Sequence, residues 1–439
     1  MSNYRYTLSD YHAIKEADIT INGITVLAGE NGCGKSTLSR WLYYLINGFN
    51  KFDEFVYKDL LKKIQSYLRK PDRLRRDIVN RGSENINATY SRLLDSKVVY
   101  GDIDRLFEES MNILYSFQEE LINYMESGDE RNQNRVLSYL SIPTNGVYNW
   151  DKHVSLYCNE LIDDVKAAYV NASTELKKHP FGALQKYIYD FCIEEGIVDP
   201  PASIQFYEDQ TPLLTDQRFS IPYALRRAIY IDTPMALTLD RTALKHWREL
   251  ADMMLNPAKS DKSERNKILL AQITRSINGK VSADKGLIQD EELHYHRADG
   301  LNIRLEDTAT GIKSFAYLQR LLENGYLDEE SLLLIDEPEA HLHPQWIVEF
   351  ARLLVLLHKQ LGLKIMIATH NPDMVSAIQS IARKEDVLGN TCFYQAERAS
   401  EDSMQYVYKN LGNDISEIFK SFNIAISRIQ DYGSTGLSE

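Results

Sequence analysis

Gly29-Glu-Asn-Gly-Cys-Gly-Lys-Ser-Thr37 decides how this chain is read. It matches the phosphate-binding loop pattern in full, with Gly29, Gly34, Lys35 and Ser36 at the defining positions. The flanks agree. Ile19–Ala28 is β-branched and apolar and leads straight into the loop, and Leu38–Ile46 behind it has helical apolar spacing. Glycines allow the backbone N–H groups of Asn31, Gly32, Cys33 and Gly34 to wrap phosphate oxygens, and the following helix N-terminus adds positive potential. Lys35 is expected to reach the β- and γ-phosphates, Ser36 to bind Mg²⁺, and Thr37 to complete the ATP contacts. Cys33 reads as a small tolerated side chain, with oxidation the lesser alternative. Asn22-Gly23 is a hairpin turn signal, so Ile19–Ala28 reads as two short strands.

The second half of such a site is Leu332-Leu-Leu-Ile-Asp336-Glu337, an apolar strand ending in two carboxylates. Asp336 is expected to hold the Mg²⁺, and Glu337 to polarise the attacking water by positioning it. Further strands are expected at Ala228–Ile231 and Lys364–Ala368, with a hairpin at Glu292–Arg297 and Leu301–Glu306. A closing amphipathic helix is expected through Ile415, Ile418, Phe419, Phe422 and Ile426. Between the two halves of the site helices dominate, with Phe107, Met111, Leu114, Leu121 and Met125 at helical spacing, as are Leu161, Val165 and Tyr169. The expected organisation is an α/β unit of residues 1–48 and 215–439, interrupted by a helical insertion of residues 49–214.

Composition narrows the function class. With 44% hydrophobic residues there is ample material for a core, which argues against disorder as a global description. Apolar runs such as Leu332–Ile335 fall far short of the ~20 residues of a membrane span. Four scattered cysteines, without a C-x-x-C pair, fit neither a zinc site nor a disulfide framework. Together with an N-terminus lacking a secretory-type apolar segment, these features lead us to expect a cytoplasmic protein without a membrane partner. Lys and Arg number 50 against 63 Asp and Glu, a net charge of −13, so any polyanion contact must come from a local basic patch. One segment qualifies. Lys62, Lys63, Arg69, Lys70, Arg73, Arg75, Arg76 and Arg81 stand against Asp72 and Asp77 only, a candidate surface for DNA, RNA or an acidic partner.

Glu337-Pro-Glu-Ala-His-Leu-His-Pro344 and Ala368-Thr-His370-Asn-Pro372 sharpen the class. With the phosphate loop they resemble the ABC-type ATPase heads of the SMC, RecF and OLD group, above all the stand-alone ATPases whose Walker B strand continues E-P-E-A-H-L-H-P. The resemblance covers residues 19–47 and 290–380. It implies an α/β P-loop NTPase fold of the ABC-type head, with a largely helical insertion between the Walker A helix and the signature motif. It also implies that His370 senses the γ-phosphate and that Pro338–His343 forms the D-loop at a dimer interface. His341 and His343 alone are too few for a metal site and read as part of that loop. Thr308-Ala-Thr-Gly311-Ile-Lys313 then resembles the signature that the partner head supplies. Its usual serine position is Ala309, which leaves Thr310 or Lys313 to contact the γ-phosphate beside Gly311. No glutamine can be singled out for the Q-loop.

Spacing prunes the group. Lys35 and Asp336 are separated by far more chain than in a transporter ATPase, the insertion lacks the heptads of an SMC arm, and the stretch after His370 is too short for an OLD-type Toprim nuclease. An ATPase without its own effector is what remains. By resemblance to ATPase components of bacterial anti-phage systems such as Septu, PARIS and the retron-associated ATPases, the expected role is regulatory. Heads would pair head-to-tail around ATP and control a separately encoded effector, a nuclease. The alternative is a RecF-like ATP-driven clamp on DNA.

Overall fold

A computed structural model describes residues 2–76, 90–94, 100–141, 150–194, 199–233, 244–258, 264–285 and 291–419. Its sheet is organised around β3 (Ile24–Ala28), buried at every position. A strand buried on both faces belongs inside a parallel sheet. β3 accordingly pairs in parallel with β11 (Lys364–Thr369) on one side and β12 (Thr391–Arg398) on the other. β10 (Ser331–Asp336) continues the parallel set between β11 and β6 (Arg227–Ile231).

Antiparallel strands finish the sheet. β1 (Tyr4–Tyr11) pairs with β2 (Ile14–Ile21) and with β4 (Ile204–Glu208), which in turn pairs with β5 (Thr211–Pro212). β13 (Tyr406–Gly412) lies between β12 and β2, giving the order β5-β4-β1-β2-β13-β12-β3-β11-β10-β6. β2 and β3 are therefore not a hairpin, although Asn22-Gly23 lies between them. The reason is burial: β2 has exposed or half-buried positions suited to the outer sheet, whereas β3 needs cover on both faces.

Leu333 and Ile335 of β10 join Ile365, Ile367, Val26 and Ile229 in one core with the helices Lys245–Leu255, Thr310–Glu323, Pro344–Leu361 and Pro372–Lys384. The helix α1 (Lys35–Asn50) packs against β6, β10 and β11. A separate antiparallel sheet is made by β7 (Gly279–Lys285), β8 (Glu291–Arg297) and β9 (Asn302–Arg304), the last two forming the expected hairpin. Ile415 and Ile418 are in the core; Phe422 and Ile426 lie outside the described residues.

The chain divides into two compact units, residues 1–50 with 185–439, and residues 51–184. β4 and β5, placed by sequence within 49–214, thus belong to the main sheet: Phe206 pairs with Tyr6 and is fully buried. The second unit is helical, with Phe52–Leu74, Ile103–Ser127, Glu130–Tyr139 and Trp150–Lys178. Its own core gathers Leu74, Phe117, Leu121, Met125, Val136, Val154 and Cys158. Among the described residues no helix is long and apolar enough to cross a membrane.

Candidate functional site

Parallel register brings the chemistry together. Ala28 of β3 pairs with Thr369 of β11, and Ala368 pairs with Asp336 of β10, so the phosphate loop, His370 and the Asp336–Glu337 pair all leave the same edge of the sheet. In open α/β sheets the carboxyl ends of the strands are where ligands bind.

Within the loop, Gly32 (φ 82°) and Gly34 (φ 94°) occupy the left-handed region that a side chain strains. Gly34 also has no room for one, since a Cβ there would lie 2.7 Å from Ile14 Cγ1. Lys35 is buried, and its Nζ donates to the carbonyls of Gly29 (2.9 Å) and Glu30 (2.8 Å). Cys33 is fully buried. Its side chain lies beneath the loop, 3.8 Å from the Tyr408 hydroxyl, which donates to the Cys33 carbonyl at 3.1 Å. Any contribution of Cys33 to phosphate binding therefore comes from its backbone.

Asp336 ends its strand almost fully buried, with Oδ2 accepting from the Tyr230 hydroxyl at 2.7 Å. Its Oδ1 is buried without a hydrogen-bond partner. Burial raises the Asp336 pKa, opposed by the hydrogen bond from Tyr230. A buried carboxylate oxygen without a partner is costly, and coordination to a hard cation is one of the few ways to satisfy it. Ser36 and Asp336 thus fit a Mg²⁺ ion.

Glu337 has a left-handed backbone (φ 46°), and its side chain is 44% exposed. Its Oε1 lies 3.4 Å from His370 Nδ1. The residue that anchors the His370 end of this pair was placed by sequence only within the Pro338–His343 loop. Glu339 is buried, and its Oε1 accepts from the Thr369 hydroxyl (2.6 Å) and the His370 backbone N–H (3.1 Å). Only the quoted E-P-E run signalled it, and nothing there distinguishes the second glutamate from the first. His343 is the N-cap of the helix Pro344–Leu361, its ring accepting from the Gln345 backbone, while His341 has φ 61°. Among the described residues no group of three or more His, Cys, Asp or Glu is arranged to hold a metal ion.

An open cavity of about 630 Å³ lies over the loop, lined by Asn31, Gly32, Gly34, Lys35, Ser36, Thr37 and Glu337, and on its far side by His12, Ala13, Met404 and Gln405. These last four come from the β1–β2 turn and the β12–β13 hairpin, and no local motif marks them. β6 flanks β10, and just beyond its end the Asp232 carboxylate is fixed by His246 (2.9 Å) and Trp247 (2.7 Å).

Thr310, Gly311 and Lys313 do not line this cavity. Thr310 opens the helix Thr310–Glu323 and Gly311 is buried, its Cα facing Leu342 and Trp346 of the same chain. Lys313 is largely buried as well, which lowers its pKa. Of the basic segment, Arg75 is buried against Glu120 (2.7 Å), Lys63 pairs with Asp59 (2.8 Å), Arg76 pairs with Asp72 (2.8 Å), and Lys70 lies over the Tyr157 ring. Lys62, Arg69 and Arg73 are exposed, and Arg81 lies outside the described residues.

Residues 227–375 match the family model of an AAA ATPase domain. That segment takes in β6, the helix from Thr310, Asp336–Glu337 and His370; the phosphate loop precedes it. Over 72 residues the chain is 42% identical to the energy-coupling factor transporter ATP-binding protein EcfA3 of Clostridium perfringens, which is 16% of this chain and 25% of that protein. EcfA2 of the same species is 40% identical over an equal length. The chain thus spans about a quarter of the length of the curated relatives it matches. Among solved structures, the SMC head domain from Thermotoga maritima aligns over 94% of this chain and 99% of its own, at 11% identity and a TM-score of 0.35. An ATP-binding cassette of an ABC transporter in its ADP conformation aligns over 92% and 93%, at 10% identity and a TM-score of 0.32. The fold is α/β: a mixed sheet whose carboxyl edge carries the phosphate loop, and a second, helical unit within the chain.

Proposed function

We propose that this chain binds ATP with Mg²⁺ and hydrolyses it. The observation that carries the reading is the convergence, at one sheet edge, of the phosphate loop, Asp336, Glu337 and His370. Asn31, Gly32, Cys33 and Gly34 offer backbone N–H groups to the phosphates, and Thr37 contacts them beside Lys35. Lys35 exchanges its bonds to the Gly29 and Glu30 carbonyls for phosphate oxygens. Ser36 and Asp336 hold the Mg²⁺, which when bound offsets phosphate charge. Glu337 orients the attacking water, and His370, fixed through Glu339, contacts the γ-phosphate.

In this reading the chain acts as a pair of heads. Thr310, Gly311 and Lys313 at the start of one head's helix complete the site of the other, head to tail. The pair regulates a separately encoded effector, a nuclease, in bacterial anti-phage defence, and works in the cytoplasm. Support for the effector and the defence role is the E-P-E-A-H-L-H-P resemblance.

Glu337→Gln tests the core of the proposal. The amide keeps the shape but is a poor acceptor for the water proton, so hydrolysis should fall by roughly 10²–10⁴-fold. ATP binding measured by calorimetry should be nearly unchanged, and an ATP-bound dimer should accumulate in size-exclusion runs. Hydrolysis at the wild-type rate would remove Glu337 from the mechanism.

A further inference from the structure

Folding sorts the basic segment into two groups that its sequence does not separate. Along the helix Phe52–Leu74, whose backbone stays helical at Arg75, the residues Lys62, Ser66, Arg69, Arg73 and Arg76 follow one another at alternating four- and three-residue steps. That spacing places them in one row on a helix. All five are exposed. The opposite side of the helix carries the buried Leu60, Ile64, Leu68 and Pro71. By the α-helical rise the stretch from Lys62 to Arg73 is about 17 Å long, with Pro71 inside the helix, and Arg76 follows in a π turn.

Charge balance along the row is one-sided. The acids that flank it are already engaged, Asp59 with Lys63 and Asp72 with Arg76. Among the described residues Lys62, Arg69 and Arg73 form no ion pair and no side-chain hydrogen bond, while the remaining cations, Arg75 and Lys70, are turned onto Glu120 and Tyr157. Three uncompensated cations in a line are unexpected on a chain whose net charge is −13.

We propose that this row is a binding surface for the phosphate backbone of double-stranded nucleic acid. A row of point charges along one helix face matches a regular polyanion, and it contacts phosphates without reading bases. Single strands are disfavoured because their sites interleave cations with aromatic platforms, and the row has none. Tyr67 lies off the row, and Tyr57 is buried. Binding is independent of sequence and salt-dependent. Three phosphate contacts give a log–log salt slope of about −2.7, so affinity falls ~40-fold between 50 and 200 mM salt. The surface does not depend on the nucleotide site.

The test is fluorescence anisotropy of the full chain with a labelled 30-base-pair DNA duplex, its RNA counterpart and the matching single strands, over that salt range. Lys62→Glu/Arg69→Glu/Arg73→Glu should weaken duplex binding by more than tenfold at 50 mM salt. Lys62→Gln/Arg69→Gln/Arg73→Gln should weaken it less and flatten the salt slope; this variant guards against a folding defect from charge reversal, checked by thermal melting. An off-row control with the same charge change, Lys166→Glu/Lys177→Glu/Lys178→Glu, should bind within about threefold of wild type. The proposal is overturned if neither duplex binds, if a single strand binds more tightly than the duplex, or if the control loses as much affinity as the row variant. ATP affinity, measured alongside, should be the same in all four proteins, so failure here is separable from failure of the ATPase reading.

Discussion

The sheet edge at Ala28, Asp336 and Thr369 and the helix start at Thr310 belong to the same unit, yet they are built on different principles. At the edge, neighbouring strands supply each other's supports: Tyr230 from β6 holds Asp336, and Glu339 holds Thr369 and His370. Nothing outside the unit is needed to position them. The helix start has no such closure. Ala309 is its N-cap without a side-chain hydrogen bond, and Gly311 and Lys313 are buried in their own chain. Of the residues proposed to face a partner's phosphate, Thr310 is the one at the surface, beside the exposed Ala309. One region has its supports within its own chain; the other, in the proposed head-to-tail pair, would act on a second copy.

Loss of Lys35 breaks the sheet-edge region most completely. Lys35→Ala removes the loop's only side-chain cation, so ATP affinity by calorimetry should drop at least tenfold, with hydrolysis abolished. Equal affinity in the variant would remove the phosphate-loop assignment.

Glu339→Ala attacks the support rather than the chemistry. It leaves the Thr369 hydroxyl and the His370 N–H without their acceptor, a cost of roughly 2–3 kcal/mol in chemical denaturation. The rate of hydrolysis should fall while ATP affinity is retained, because His370 loses its anchor and the loop does not. A stable variant with full activity would show that Glu339 is incidental.

The smallest effect sharpens the comparison best. Gly311→Asp cannot probe the partner contact cleanly, because a Cβ there would lie 3.1 Å from Leu342 Cδ2 and 3.2 Å from Trp346 in the same chain. Ala309→Asp avoids this. Aspartate is a favoured N-cap, so the variant should be more stable by about 0.5–2 kcal/mol. In a head-to-tail pair the same charge would face a phosphate and lower hydrolysis. Opposite signs in melting temperature and ATPase rate support a composite site; gains in both would argue for an intramolecular one. Mixing Ala309→Asp with Lys35→Ala protein should restore part of the activity, since one pairing joins an intact loop to an intact helix start.

What the chain's sequence determined by itself was short-range. The loop pattern, the apolar strand ending in Asp336–Glu337 and the His370 strand end could all be read because each motif sits within one strand and its adjoining turn. Burial on both faces likewise leaves its mark as an uninterrupted apolar run, as in Leu332–Ile335. Pairing partners leave no such mark. Asn22-Gly23 looked like a hairpin, yet β12 and β13 lie between the strands it connects, and β4 enters the sheet by pairing with β1, about 200 residues away. Only the tertiary structure could assign Glu339 as a support rather than a solvated acid, or separate buried Arg75 from exposed Arg73. The physical reason is the same in each case. A charge's role depends on what lies within a few ångströms of it, and the folded chain, not the local pattern, supplies those neighbours.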